Sequence, residues 1–237
     1  MNVDTTPAYI LHRYVYRDSS LIIEAFSEQA GRVGLIARGA RSARSRWRGL
    51  LQSFRPLLLS WKGRGELPTL TGAEGDGSPV AIGGSRLLSG FYLNELLIRL
   101  VARHDPHPVL FRAYDHALHE LARAEYEEPV LRIFEKTLLR ELGYGLLLDR
   151  EAEGGEPVRP ERLYEYRLES GPVQVRDGDT QALVMPGQSL LALDRDEIDG
   201  AAACRDARRL LRAALSLYLG DRPLRTREVL RRLTAMQ

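Results

Sequence analysis

The feature that most restricts how this chain can fold is a change of hydrophobic period partway along it. Up to about residue 74 the apolar side chains come in short runs: Ala8–Tyr16, Leu21–Ser27, Val33–Arg38, Phe54–Lys62 and Glu66–Thr71. These runs are rich in β-branched, aromatic or leucine residues. Turn formers separate them at Asp18-Ser19-Ser20, Glu28 to Gly31, a long arginine-bearing segment and Gly63-Arg64-Gly65. Five short strands, several apolar on both faces, predict a small closed barrel of the OB type. Residues 72–84 hold five glycines and Pro79, and read as a linker or boundary. Beyond them the period becomes helical. Leu93, Leu96, Leu97, Leu100 and Val101 fall at i, i+3, i+4, i+7 and i+8. Leu110, Ala113, Tyr114, Ala117 and Leu121 repeat the pattern, and Leu131, Phe134, Leu138 and Leu142 form a third stripe between Pro129 and Gly143. Ala207, Leu210, Leu211, Ala214 and Tyr218 make a fourth, and Val229, Leu230 and Leu233 a short fifth. Between the third and fourth lies the acidic, Gly/Pro-rich stretch Asp149–Asp199, with a hairpin pattern over Leu163–Leu168 and Val173–Arg176. The fold class expected is α+β: a five-stranded barrel over residues 1–78, then a mainly helical domain over 79–237 with a small insert at about 149–199.

Composition narrows the class further. A chain of 237 residues with 44% hydrophobic content can bury a sizeable core and is not mainly disordered. A single cysteine, Cys204, excludes a disulfide framework and a structural zinc site built on several thiolates. No run approaches the roughly 18 apolar residues of a membrane span. The opening MNVDTTPAYIL lacks the basic-then-apolar layout of a secretion signal. The expectation is a soluble protein of a reducing compartment.

Charge is distributed unevenly. Between Gln29 and Gly65 there is no Asp or Glu, while Arg32, Arg38, Arg41, Arg44, Arg46, Arg48, Arg55, Lys62 and Arg64 supply nine positive charges. Since the whole chain carries +2, the remainder carries −7. A block of one sign attracts polyanions. Trp47, Phe54 and Trp61 are interleaved with the arginines; guanidinium groups on phosphate and aromatic faces on bases are the usual pairing in single-strand binders. Trp47 is the expected base stacker, and Trp61, in the run Leu57-Leu58-Leu59-Ser60-Trp61, is expected in the core.

Signatures of catalysis are absent. No phosphate loop, dinucleotide-binding glycine pattern or nucleophile elbow occurs. His119-Glu120 would begin a zinc-protease helix motif, but Arg123 stands where its second histidine is needed. His104/His107 and His116/His119 read as surface histidines, and Cys204 as a small apolar residue opening a helix. No catalytic residue, metal ligand, cofactor or small-molecule substrate is assigned.

The sequence also resembles a known family. The segments A-Y-I-L-H-R, S-L-I-I-E-A-F-S-E-Q-A-G-R-V-G-L-I-A-R-G-A-R-S and L-Q-S-F-R-P-L-L-L-S-W-K-G-R-G-E-L are similar to the N-terminal barrel of bacterial RecO recombination mediators. G-F-Y-L-N-E-L-L, E-L-G-Y-G-L and Y-L-G-D-R-P-L-R-T-R-E-V-L-R-R-L extend the likeness, in order, along the rest of the chain. The resemblance implies an OB-fold followed by a helical domain, in a cytoplasmic, nucleoid-acting protein of DNA repair and recombination that is not an enzyme. It implies binding of single- and double-stranded DNA and annealing of complementary strands coated by single-strand DNA-binding protein. It further implies contact with the acidic C-terminal tail of that protein, and action with RecR to load RecA. Many members carry a four-cysteine zinc site after the G-Y-G segment; Asp149–Asp199 has no cysteine, so this chain resembles a zinc-less variant.

On this reading Arg32, Arg38, Arg41, Arg44, Arg46, Trp47, Arg48, Lys62 and Arg64 are the expected DNA-binding residues. Arg132, beside the Leu131/Phe134 stripe, and Arg140 are candidates for the cation that meets an acidic tail. Arg222, Arg225, Arg227, Arg231 and Arg232 extend the DNA path or simply complement a helix end. Two other functions stay open from the residues alone: a generic OB-fold nucleic-acid binder, on RNA for instance, and a structural adaptor without annealing activity.

Overall fold

A computed structural model describes residues 3–84, 86–175, 183–220 and 222–235. In chain order the elements are β1 (Val3–Tyr16), β2 (Ser20–Ser27), β3 (Gly31–Ala37), β4 (Leu57–Lys62), β5 (Thr69–Gly75), α1 (Arg86–Leu100), α2 (Pro108–Arg123) and α3 (Glu128–Glu141). There follow β6 (Leu163–Arg167), β7 (Gly171–Gln174), β8 (Val184–Pro186), α4 (Gly187–Asp194), α5 (Gly200–Leu219) and α6 (Arg225–Ala235). They pack as two compact units, Met1–Ala124 with Pro223–Gln237, and Glu125–Arg222.

In the first unit the first five strands close into a barrel in the order β1-β2-β3-β5-β4, antiparallel except where β3 meets β5 at Ile36 and Thr69. This is the five-stranded OB architecture. Alternation along the strands sends Ile10, Ile23, Ala25, Val33, Leu35, Leu57, Leu59, Trp61 and Leu70 into the barrel, so Trp61 is a core residue. Tyr9 and Phe26 face the other way and are nevertheless buried, because Phe111 and Tyr114 of α2 cover them with ring centroids 5.3–6.3 Å apart. That helix explains the strands that are apolar on both faces. The first unit is completed by α6, whose start is held by Glu95 of α1. The carboxylate accepts from the backbone N–H groups of Arg225 and Thr226 at 2.8 and 3.0 Å and from the Thr226 hydroxyl at 2.7 Å. An anion there also complements the helix dipole.

Expected strand boundaries move: β1 begins at Val3 and not at Ala8, and β4 and β5 shift as well. The glycine-rich stretch does not begin as a linker: residues 72–75 form the second half of β5. Glycine belongs there because a Cβ on Gly72 would sit 3.2–3.3 Å from the Ser60 side chain of the neighbouring strand. At its start β4 loses Phe54, whose φ of +63° is incompatible with a strand and whose ring packs on Phe91 with centroids 5.0 Å apart.

In the second unit α3, α4 and α5 pack together beside a three-stranded sheet ordered β7-β6-β8. The expected hairpin is present as β6 and β7, although Arg176 at its end lies outside the described residues, as does the side chain of Leu233. Neither β8 nor α4 shows a hydrophobic period in the sequence, because they are only 3 and 8 residues long. The sheet is fastened by Tyr164, which is fully buried and whose hydroxyl accepts from the Arg159 N–H at 2.9 Å and donates to Glu151 at 3.3 Å.

Candidate nucleic-acid interface

The longest connection in the barrel runs from β3 to β4 and carries most of the one-signed charge. It is built around Trp47 and Leu51, which turn inward and join the barrel core. The Trp47 indole N–H donates to the Arg38 carbonyl at 3.2 Å, so its one polar group is satisfied on burial. Tight turns carry the backbone around it, with N–H groups of Ser42, Ser45, Arg48 and Leu50 each bonded three residues back. Trp47 is only 5% exposed. It is therefore not available as a base stacker, contrary to the sequence expectation; a large indole at the barrel mouth is more stable inside than in solvent. Phe54 is likewise buried.

With Trp47 inside, the arginines are forced outward. Arg46 lies over the indole, its guanidinium carbon 4.1 Å from the ring centroid, and donates to the Thr71 carbonyl at 3.2 Å. Arg41 donates through its backbone N–H to Ser19 O at 2.9 Å, and through its guanidinium to the carbonyls of Arg17 and Asp18 at 3.2 and 3.1 Å. These two arginines staple the loop to β5 and to the β1–β2 turn while remaining exposed. Arg48 reaches back to the Ala43 carbonyl at 3.4 Å, and Arg38, Arg44, Lys62 and Arg64 are exposed. Among the described residues none of Arg38, Arg41, Arg44, Arg46, Arg48, Lys62 and Arg64 is paired with a carboxylate.

Arg32 departs from that group. Its guanidinium meets one oxygen of the buried Glu24 carboxylate at 3.0 Å, and Arg103 meets the other. Arg32 Nε also donates to Val101 O at 2.9 Å. Arg32 is thus held inside a latch that ties the α1–α2 connection to the barrel, its charge partly offset by a carboxylate it shares with Arg103. The same connection presses Asp105 O to within 2.0 Å of where a Cβ on Gly31 would lie, and Gly31 has a φ of +66°, so only glycine fits. Sequence reasoning missed Arg103 and also missed Arg17, which the turn brings beside Arg41.

In the second unit the two partner-site candidates separate. Arg132 has a side chain only 7% exposed, bonded to Glu135 at 2.7 Å and paired with Glu128 at 3.5 Å. It is not the rim cation expected of it, because the helix face that carries it is buried. Arg140 is 58% exposed and next to Glu141 at 3.4 Å. Its side chain flanks Gly145, which lines a hollow of about 280 Å³ with Tyr144, Leu147, Tyr166, Leu217 and Tyr218. The rings of Tyr144 and Tyr218 stack there at 3.8 Å.

Among the described residues no three His, Cys, Asp or Glu side chains gather as metal ligands. A four-thiolate zinc site does not fit this chain, whose lone cysteine stands on α5 with burial raising its thiol pKa. No helix among the described residues is long and apolar enough to cross a membrane.

Comparison with known proteins bears directly on this arrangement. Residues 1–78 match the family model described as Recombination protein O N terminal, and residues 84–228 the one described as Recombination protein O C terminal. The DNA repair protein RecO of Alkalilimnicola ehrlichii is 52% identical over 96% of this chain and 90% of its own. That of Nitrosococcus oceani is 45% identical over 98% and 95%, and that of Methylococcus capsulatus 47% identical over 94% and 91%. With both family regions matched in order and near-complete coverage on each side, the chain belongs to the RecO family.

Proposed function

We propose that this chain serves DNA repair and recombination by holding the phosphate backbone of DNA on the exposed face of its barrel. Arg38, Arg41, Arg44, Arg46, Arg48, Lys62 and Arg64 are the contacts. The observation that carries the reading is that none of them has a carboxylate partner among the described residues, and that five of them stand on or beside a loop whose backbone is fixed by buried Trp47. Contacts to phosphate carry no base code, so binding is largely independent of sequence and extends to single and double strands. Two strands held on one cationic surface repel each other less, which favours annealing. The −7 carried by the rest of the chain limits indiscriminate coating of DNA.

Acting on DNA coated by single-strand DNA-binding protein requires a second contact. The acidic, apolar-ended tail of that protein suits a hollow with a cation at its rim. Arg140 supports this role through its exposure beside the hollow, whereas Arg132 would have to leave Glu135. Action with RecR to load RecA completes the proposal. Salt titration of binding to a single-stranded oligonucleotide tests its core. If about five phosphates are neutralised, log K against log[salt] has a slope near −3.5, and replacing Arg44 and Arg48 by Ala reduces it by about 1.4. An unchanged slope in that variant contradicts the assignment.

A further inference from the structure

With Trp47 buried, the barrel's cations lack the aromatic partner on which bases stack. The outer half of β1 supplies one. Pairing of β1 with β4 stops at Ala8, whereas pairing with β2 continues to Tyr16. Beyond Ala8 the strand pairs with β2 alone among the described strands, and Asn94 of α1 donates to the Leu11 carbonyl at 2.9 Å; His12, Arg13, Tyr14 and Val15 are exposed and Tyr16 is half-buried. Alternation places His12, Tyr14 and Tyr16 on one face of β1 and Arg13 and Val15 on the other, while Arg17, in the turn with a φ of +52°, lies outside that alternation. Tyr14, at 46% exposure, is the most open aromatic described in the first unit.

Cations bracket this strip. At the turn, the Arg17 guanidinium lies 5.0 Å from the Tyr16 ring centroid, and Arg41 of the basic loop bonds the carbonyls of Arg17 and Asp18. The strip is thus continuous with the arginine face. At the other end Arg225, opening α6, and Arg13 lie near enough to His12 to help burial lower its pKa below 6.5, against a weaker opposing effect of Glu24. His12 itself meets the Tyr14 ring edge-on, with centroids 4.4 Å apart, which holds Tyr14 in place.

We propose that Tyr14 and Tyr16 on the outer half of β1 each stack on a base of single-stranded DNA, while Arg13 and Arg17 meet the flanking phosphates. The inference rests on the reading that the arginine loop holds the backbone. Residues two apart on a strand are about 6.6 Å apart, roughly twice the 3.4 Å rise of stacked nucleotides. Consecutive bases reach both rings only when the strand is drawn out and unstacked. A duplex cannot offer its base faces in this way, so this strip distinguishes single from double strands where the phosphate contacts do not.

The test compares the full chain with Tyr14→Ala/Tyr16→Ala and Tyr14→Phe/Tyr16→Phe, using three probes: an oligothymidylate, an abasic sugar–phosphate chain of the same length, and a duplex. The alanine pair is expected to weaken oligothymidylate binding by about tenfold or more, while abasic-chain and duplex binding and the salt slope stay unchanged. The phenylalanine pair keeps parental affinity, since stacking does not need the hydroxyl. Equal loss on the abasic chain overturns stacking and makes the tyrosines supports of the loop. Parental oligothymidylate affinity in the alanine pair, with Arg44→Ala still weakening it, overturns this inference and leaves the arginine-face reading standing. Absence of oligonucleotide binding by the parent chain overturns both.

Discussion

Arg44 and Trp47 stand three positions apart in an acid-free segment, yet they depend on different physics. Trp47 fills the barrel mouth, and truncating it leaves a cavity in a core that includes Leu51, Leu57 and Trp61. Trp47→Ala is expected to cost about 3–5 kcal/mol in a denaturant titration and to weaken DNA binding through loss of loop order. Arg44→Ala is expected to leave stability within about 0.5 kcal/mol while lowering DNA affinity, so the two variants separate fold from contact. Glu24 gives a third case. Glu24→Gln leaves Arg32 and Arg103 facing a neutral amide in a poorly hydrated site, and a loss of about 3 kcal/mol is expected. Arg32→Ala should likewise act on the melting midpoint and not on the salt slope. The positive block was legible in the sequence because it contains no acid to cancel it. The removal of Arg32 from that block was not, since Glu24 and Arg103 reach it only through β-pairing and a distant helix connection. Trp47 misled for a related reason: its sequence neighbours are polar, and only the closure of the barrel shows that the indole has an interior to enter.

At the level of elements, the barrel strands and the longer helices follow from period alone, and the exceptions have identifiable causes. Gly72 and Gly75 punctuate a sequence as linker residues do, but β5 crosses so close to Ser60 and Arg55 that larger side chains would crowd them. Helix α3 shows the opposite problem. Its stripe of Leu131, Phe134 and Leu138 was readable, whereas Arg132, Glu135, Lys136 and Thr137 look like a solvent face and are buried. They are buried because α4 and α5 pack on that side with partners for the charges. Lys136 donates to the carbonyls of Leu193 and Asp194, both at 2.8 Å, and pairs with Asp196 at 2.7 Å. A cation there closes the C-terminal end of α4. Lys136→Met keeps the stem and removes the donor; it is expected to cost about 2 kcal/mol by taking a charged donor from those carbonyls and the cation from Asp196, measured by chemical denaturation. Unchanged stability would show that water replaces the ammonium.

For the whole molecule, the decisive property is a barrel segment that holds nine basic residues and no acidic one, in a chain with a net charge of +2. Family membership supplies the setting, DNA repair and recombination; on the proposed reading, the cations that have no carboxylate partner among the described residues hold the strands. The most direct measurement is the rate at which complementary oligonucleotides, coated with single-strand DNA-binding protein, anneal in the presence of the full chain or of an Arg38→Ala, Arg44→Ala, Arg48→Ala and Lys62→Ala variant. These four side chains sit outside the core, so the variant should keep its melting midpoint. The account predicts that the parent accelerates annealing and that the variant loses most of the acceleration. A parent that binds bare DNA without annealing coated strands, or a variant that anneals as fast as the parent, would contradict it.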